Sequence, residues 1–291
     1  MGRCALRHRA GALVTAALFA YPLARASAQD TDTLPVWQIA LGARLGTPQG
    51  WVQVRESAIA GTRLRFGPDL GVHTLHSYAF GVTRRLGART ALAITIESIA
   101  LDGAITLPRD VQFNGATLEQ GTTARTATHV PRFLDVTATV DHRLVTLGDR
   151  GGLSLCGGFT FVGLTFVLHG TLAPRSALHE TSEDFVTQEL PVPVLGVSLD
   201  LPIARRTALT ADADGGYLPR VNSLRREGGE VTLSQSHARL AAGARYDLTR
   251  SLGIRATYLF THLAQHENSM EDGNDIVLNA STVMVGITRR F

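Results

Sequence analysis

The chain has 291 residues, of which 44% are hydrophobic, with 28 arginines, no lysine and 25 acidic residues. Beyond the N-terminal leader no run of 18 uninterrupted apolar residues occurs, which excludes a helical membrane span there. Two cysteines, Cys4 and Cys156, exclude a small disulfide-stapled secreted fold.

The first element is a secretory signal. Arg3, Arg7 and Arg9 precede the apolar stretch AGALVTAALFAYPLA, and Ala26-Ser27-Ala28 fits an A-x-A cleavage site. Cleavage after Ala28 is therefore expected. Cys4 precedes the apolar core and is no lipoprotein acceptor. Removing residues 1–28 changes the formal charge from +3 to about −1, with 24 arginines left against 25 acids. A nucleic-acid-binding reading loses its support.

From Trp37 onward, period-two alternation replaces helical periodicity. Trp37, Ile39, Leu41, Ala43 and Leu45 share one face, against Gln38, Ala40, Gly42 and Arg44. Similar alternation runs over residues 77–83, 92–97, 134–141, 153–161, 195–201, 209–217, 237–247, 252–260 and 282–291, giving ten predicted strands. Their connections alternate in length. Residues 84–90, 145–152, 201–207 and 247–251 are tight; 46–75, 102–130, 170–187, 218–230 and 265–275 are long and polar. Ten strands that start and end on one side require four short turns and five long loops. This asymmetry belongs to up-and-down transmembrane barrels, with short periplasmic turns and long extracellular loops. Within the long links, WVQV (51–54) with TRLRF (62–66), and VQFNGATLE (111–119), are candidate hairpins. Either would make twelve strands if it spanned.

Alternation alone does not say which face is inside. A soluble, secreted ligand-binding barrel would put the apolar face inward. Here the apolar faces end in Trp37, Tyr78, Tyr217, Tyr246, Tyr258, Phe260 and Phe291, as interfacial girdles do. The opposite faces are rich in Gly, Ala, Ser and Thr, which suit a confined lumen. The expected organisation is a signal peptide over 1–28, a periplasmic segment over 29–36 and an all-β, antiparallel transmembrane barrel over 37–291.

About residues 35–291 resemble the Gram-negative outer-membrane β-barrel class. The resemblance is architectural, with one motif. That class ends its last strand on an aromatic residue preceded five positions earlier by Gly, and Gly286 and Phe291 match; Met284 and Arg289 depart from the rest of the pattern. The resemblance implies an outer-membrane monomer in contact with lipid and lipopolysaccharide. It also implies an assembly signal at Gly286 and Phe291, read by the barrel-assembly machinery, with periplasmic chaperones acting during biogenesis. The phrases GTRLRFGPDLG and FNGATLEQGT are similar to ones in uncharacterised barrels of that class and bring no activity.

The face opposite the apolar one collects charge. Glu97, Asp135, Asp141, Asp200, Asp212, Asp214 and Asp247 would face Arg44, Arg239, Arg245, Arg255 and Arg290, with His237 among them. Rings of charge can select solutes in a pore. A barrel of eight to ten strands has little free lumen, so a closed salt-bridge network is the favoured reading. Asp212 and Asp214 lie on one strand face and are expected to pair with lumen arginines rather than hold a cation. Cys156 is expected to be an inert lumen thiol.

An enzyme is the alternative. Omptin-type outer-membrane proteases use Asp and His near the extracellular rim, where this chain has His262, His266, Asp272, Asp275 and, in another loop, Asp184. Lipid A deacylases use His and Ser, for which His266 and Ser269 are candidates. Neither family's spacing is present. C-x-x-C, H-E-x-x-H and P-loop motifs are absent, and no metal or cofactor is expected. The expected function is non-enzymatic: a narrow passive pore, or a structural or surface-binding envelope protein.

Overall fold

A backbone that alternates between apolar and polar faces is extended, and within lipid every amide of extended chain must be paired by a neighbouring strand. The computed structural model describes residues 36–56, 59–128, 133–148, 151–171, 181–186, 190–222, 231–270 and 272–291. The expected signal peptide and all of the 29–36 segment except Val36 lie outside the described residues.

Among the described residues ten long strands form a closed wall. They are β1 (Trp37–Glu56), β3 (Leu75–Arg85), β4 (Thr90–Leu101), β9 (Phe133–Leu147), β10 (Gly151–His169), β12 (Val192–Ala204), β13 (Thr207–Asn222), β14 (Thr232–Asp247), β15 (Leu252–Asn268) and β16 (Asp272–Arg290). Each is antiparallel to the next. The wall closes because β16 pairs with β1 from Arg290↔Gln38 to Asp272↔Glu56. At one end are the tight turns and both ends of the wall's chain, where Phe291 N–H donates to Trp37 O and Val36 N–H to Phe291 O, each at 2.9 Å. This is the periplasmic end by the turn-length asymmetry.

Smaller elements gather at the other end. They are β2 (Leu64–Arg65), α1 (Phe66–Leu70), β5 (Gly103–Thr106), β6 (Val111–Phe113), β7 (Ala116–Leu118), β8 (Thr123–Ala127) and β11 (Thr181–Val186). Both candidate hairpins exist and neither spans. Trp51–Val54 continues β1, and Trp51 and Val52 pair with Arg65 and Leu64 of β2. β6 and β7 pair across Asn114-Gly115, whose φ values of 47° and 69° are those of a primed two-residue turn. The wall therefore has ten strands, not twelve.

The structure corrects one connection. Residues 265–275 form no long loop. β15 and β16 stay paired out to Asn268↔Gly273. The link closes at once, with Ser269 N–H donating to Asp272 O (2.8 Å) and Asp272 N–H to Ser269 Oγ (2.7 Å). Residues 46–56 likewise belong to β1. The 17 residues of β15 give roughly 55 Å of strand, or about 40 Å of height at a tilt near 40°, against an apolar band of ~25 Å. The wall thus rises well clear of the membrane, where its outer surface meets water and its polarity no longer marks a loop.

The height of the membrane is written in the phase of the alternation. Along β10 the apolar side chains Leu155, Phe159 and Phe161 point out and are exposed, while Val162, Leu164, Phe166 and Leu168 point in and are buried. The same switch occurs on β16, between exposed Val283, Val285 and Ile287 and buried Ile276, Leu278 and Ala280. On β1 it falls between Leu45 and Val52, and on β4 between Ile96 and Ile99. Below the switch the apolar face meets lipid; above it, the apolar face fills the barrel.

That upper filling is a true core. Phe66 of α1, Phe113 of β6 and Phe166 of β10 are all 0% exposed, with ring centroids 6.4 Å apart for Phe66–Phe166 and 5.9 Å for Phe113–Phe166. Val52, Val54, Leu64, Leu70, Leu101, Leu118, Phe133 and Leu164 pack with them. Each fully buried large side chain contributes about 1.5–3 kcal/mol, so the cap is held by its own hydrophobic energy. α1 is brief because Gly71 ends it at φ 67°, where a Cβ would lie 2.3 Å from Ala104 O. Asp69 accepts from Arg65 N and Nε, both at 2.9 Å. The Arg65 guanidinium holds the Asp69 carboxyl below its usual range.

Candidate functional site: an ion-paired lumen beneath an apolar cap

Below the cap, every second residue of each strand points away from lipid. Arg44 of β1, Glu97 of β4, Asp135 and Asp141 of β9, Asp200 of β12 and Asp212 and Asp214 of β13 occupy these positions. So do His237, Arg239, Arg245 and Asp247 of β14, Arg255 of β15 and Arg290 of β16. Their chain neighbours Leu45, Ile96, Val140, Leu240, Tyr246 and Ile254 are exposed on the outside. A soluble barrel would have the opposite polarity, and that alternative is set aside.

The charges are largely spent on one another. Near the cap, Arg44 meets Glu97 at 3.2 Å, and Glu97 also accepts from Ser77 Oγ. Asp135 accepts from Thr160 (2.9 Å) and Thr137 (3.1 Å). Arg239 pairs with Asp214 at 2.7 Å. Lower down, Arg255 pairs with Asp212 and Arg245 with Asp200. At the periplasmic mouth Asp247 receives Arg290 at 2.9 Å and Arg245 at 3.7 Å. Asp212 and Asp214 therefore each answer to an arginine from a different strand. Asp141 lies in register with Cys156 of β10.

One cavity of about 50 Å³ lies directly under the cap. Arg44, Glu97, Asp135, His237 and Arg239 line it from the lumen, and Ile99, Phe133, Val162, Leu263 and Leu278 line it from the cap. Arg44 Nε and His237 Nδ1 are buried without a hydrogen-bond partner among the described residues. A polar space of this size holds a few waters and lies between two regions, apolar above and ionic below. The expected polar, charged lumen gives way towards the extracellular end to a mostly apolar interior, with Gln235, Gln265 and Asn274 buried in it, because there the wall faces water on the outside and the core moves in.

Of the candidate enzymatic residues, His262 borders this cavity and the others stand elsewhere. His262 and His266 alternate with buried Leu263 along β15 and face Asn279 and Asp275 of β16. His262 Nδ1 lies 2.7 Å from Asn279 Oδ1, and His266 Nδ1 contacts Asp275 Oδ1. Ser269 Oγ donates to Asp272 O in the hairpin turn. The side chain of Asp184 lies outside the described residues. His142, at the periplasmic end of β9, meets Thr90 Oγ1 at 3.1 Å.

A closed antiparallel wall, apolar towards lipid and charged within, defines an outer-membrane β-barrel. No protein-family profile matches the chain, and no curated protein is similar to it in sequence. Among solved structures, it is similar to the outer membrane protease OmpT from Escherichia coli, with a TM-score of 0.48 at 12% identity, over 90% of this chain and 100% of that one. The translocator domain of the autotransporter NalP from Neisseria meningitidis gives 0.41 at 13%, over 88% of each chain. The P. putida toluene transporter TodX gives 0.33 at 10%, over 90% of this chain and 91% of that one. The activities these proteins are named for differ from one another, and the fold class stated above stands on this chain's own wall.

Proposed function

We propose that the protein is a sealed, non-enzymatic barrel of the bacterial outer membrane that acts through its extracellular surface, as a structural or surface-binding envelope protein. The observation that carries this reading is the stacking of an apolar core on an ion-paired lumen. A permeating ion would have to cross both the Phe66–Phe113–Phe166 cluster and the paired arginines beneath it. A selectivity lining needs charges that a solute can exchange for water; here the lumen carboxylates other than Asp141 already hold arginines or hydroxyls. In this reading Gly286 and Phe291 serve as the assembly signal, and lipopolysaccharide surrounds the outer wall. The test is solute flux. Liposomes containing the refolded protein should retain a trapped small sugar as protein-free liposomes do. Swelling at a rate proportional to protein content would instead favour the narrow-pore reading.

One observation favours a second reading. The His266–Asp275 pair is exposed on the extracellular wall, as a general base with its orienting carboxylate would be. Ser269, the nearest candidate nucleophile by sequence, has its hydroxyl engaged in the turn. An enzyme requires hydrolysis of peptide or lipid ester that His266→Ala abolishes. A sealed structural barrel shows none in either form.

A further inference from the structure

The periplasmic rim is ringed by arginine. Arg84, Arg89, Arg205, Arg206, Arg250 and Arg289 are all exposed there. Among the described residues of this rim, the side-chain carboxylate is that of Asp247, which is buried and already held by Arg245 and Arg290. The opposite end mixes its charges, with Asp102, Arg109 and Asp110 all exposed there. Such one-sided charge has an electrostatic consequence that mixed charge lacks.

Two of these arginines are held in place. Arg84 lies 5.1 Å from the centre of the Trp37 ring, and Arg289 lies 5.5 Å from the centre of the Phe291 ring. Trp37 is in register with Arg84, and Ile39 with Arg289, so the two guanidiniums flank β1 on its lipid side at the seam where the barrel closes. Directly above them the exposed side chains Leu41, Val285 and Ile287 face the bilayer. A guanidinium stacked on a ring keeps its N–H edge for planar, bidentate oxyanions such as phosphate. Apolar surface above and guanidinium edges below match an acyl chain and its phosphate.

We propose that this rim binds the anionic headgroups of phospholipids in the adjoining leaflet, with a preferred site between Arg84 and Arg289. It goes beyond the proposed function and does not depend on whether the lumen conducts.

The test uses the full chain folded in vesicles of phosphatidylcholine with a minor share of phosphatidylglycerol. The lipid retained after mild extraction is read by native mass spectrometry. Wild type should retain phosphatidylglycerol above its share. Arg84→Gln and Arg289→Gln should each reduce that enrichment about fivefold, and the double variant further. Arg63→Gln with Arg109→Gln, at the opposite end, should leave it unchanged. Heat-dependent mobility on SDS gels verifies folding, and the single variants carry the test if the double variant does not fold. No enrichment in wild type, or unchanged enrichment without Arg84 and Arg289, overturns the proposal. So does an equal loss in the opposite-end variant. If inorganic phosphate alone displaces the lipid, the site reads a free anion and the lipid assignment falls.

Discussion

Arg44 and Glu97 stand two strands apart, on β1 and β4, and meet 3.2 Å from each other across Ser77 of the intervening β3. The Arg44 side chain is 4% exposed. Removing Glu97 alone strands a buried guanidinium. Glu97→Ala should therefore cost about 3–5 kcal/mol, whereas Arg44→Met combined with Glu97→Leu should be close to neutral or stabilising. Denaturant titration of the folded barrel in detergent measures both. Equal losses in the single and double variants would mean that the pair is not what holds this layer together.

Phe166 ties the wall to the cap, since its ring touches those of both Phe66 and Phe113. Phe166→Ala should cost about 3–5 kcal/mol through lost burial and the cavity left behind. The loss should be local: proteolysis should accelerate within 59–75 and 102–128 while the membrane-embedded wall stays resistant. A mass-resolved protease time course distinguishes this from general unfolding.

Acid should loosen the first cap segment. The Asp69 carboxyl is lowered below its usual range by its hydrogen bonds from Arg65. A lowered carboxylate binds its proton less readily in the folded state, so its contribution is present above about pH 4, the unfolded value, and fades as pH falls through the lower folded value. Trp51, stacked by Arg63 at 4.0 Å and paired with Arg65, lies beside this segment. In a Trp37→Phe background, Trp51 fluorescence should change below about pH 4, and Asp69→Asn should abolish that transition. A transition that persists in Asp69→Asn would assign it to another group.

Much of the wall was legible in the sequence. Two-residue alternation marked all ten strands, because a wall between lipid and a polar lumen imposes opposite chemistry on successive side chains. The shared parity of the charged residues from Arg44 to Arg255 was legible for the same reason. The upper wall was not. Thr47 and Gln49 interrupt the apolar face of β1 while Gly46, Pro48 and Gly50 break up the other, and residues 265–275 look like a loop because both faces there carry polar groups. Gly46 is in fact required, since a Cβ would lie 2.2 Å from Ser281 O. The cap was missed although its signal is present. Apolar residues change parity between Phe161 and Val162, and again between Ala280 and Val283. That switch marks where the outer solvent changes from lipid to water. Which arginine meets which carboxylate depends on strand stagger, which local pattern does not contain.

Single-channel recording tests the sealed lumen most directly. Wild-type protein, inserted into a planar bilayer and verified as folded by heat-dependent mobility, should give no conductance steps above the bare membrane. Reproducible steps of uniform size, scaling with salt concentration, would show an open path through the Phe66–Phe113–Phe166 cap and contradict the sealed barrel.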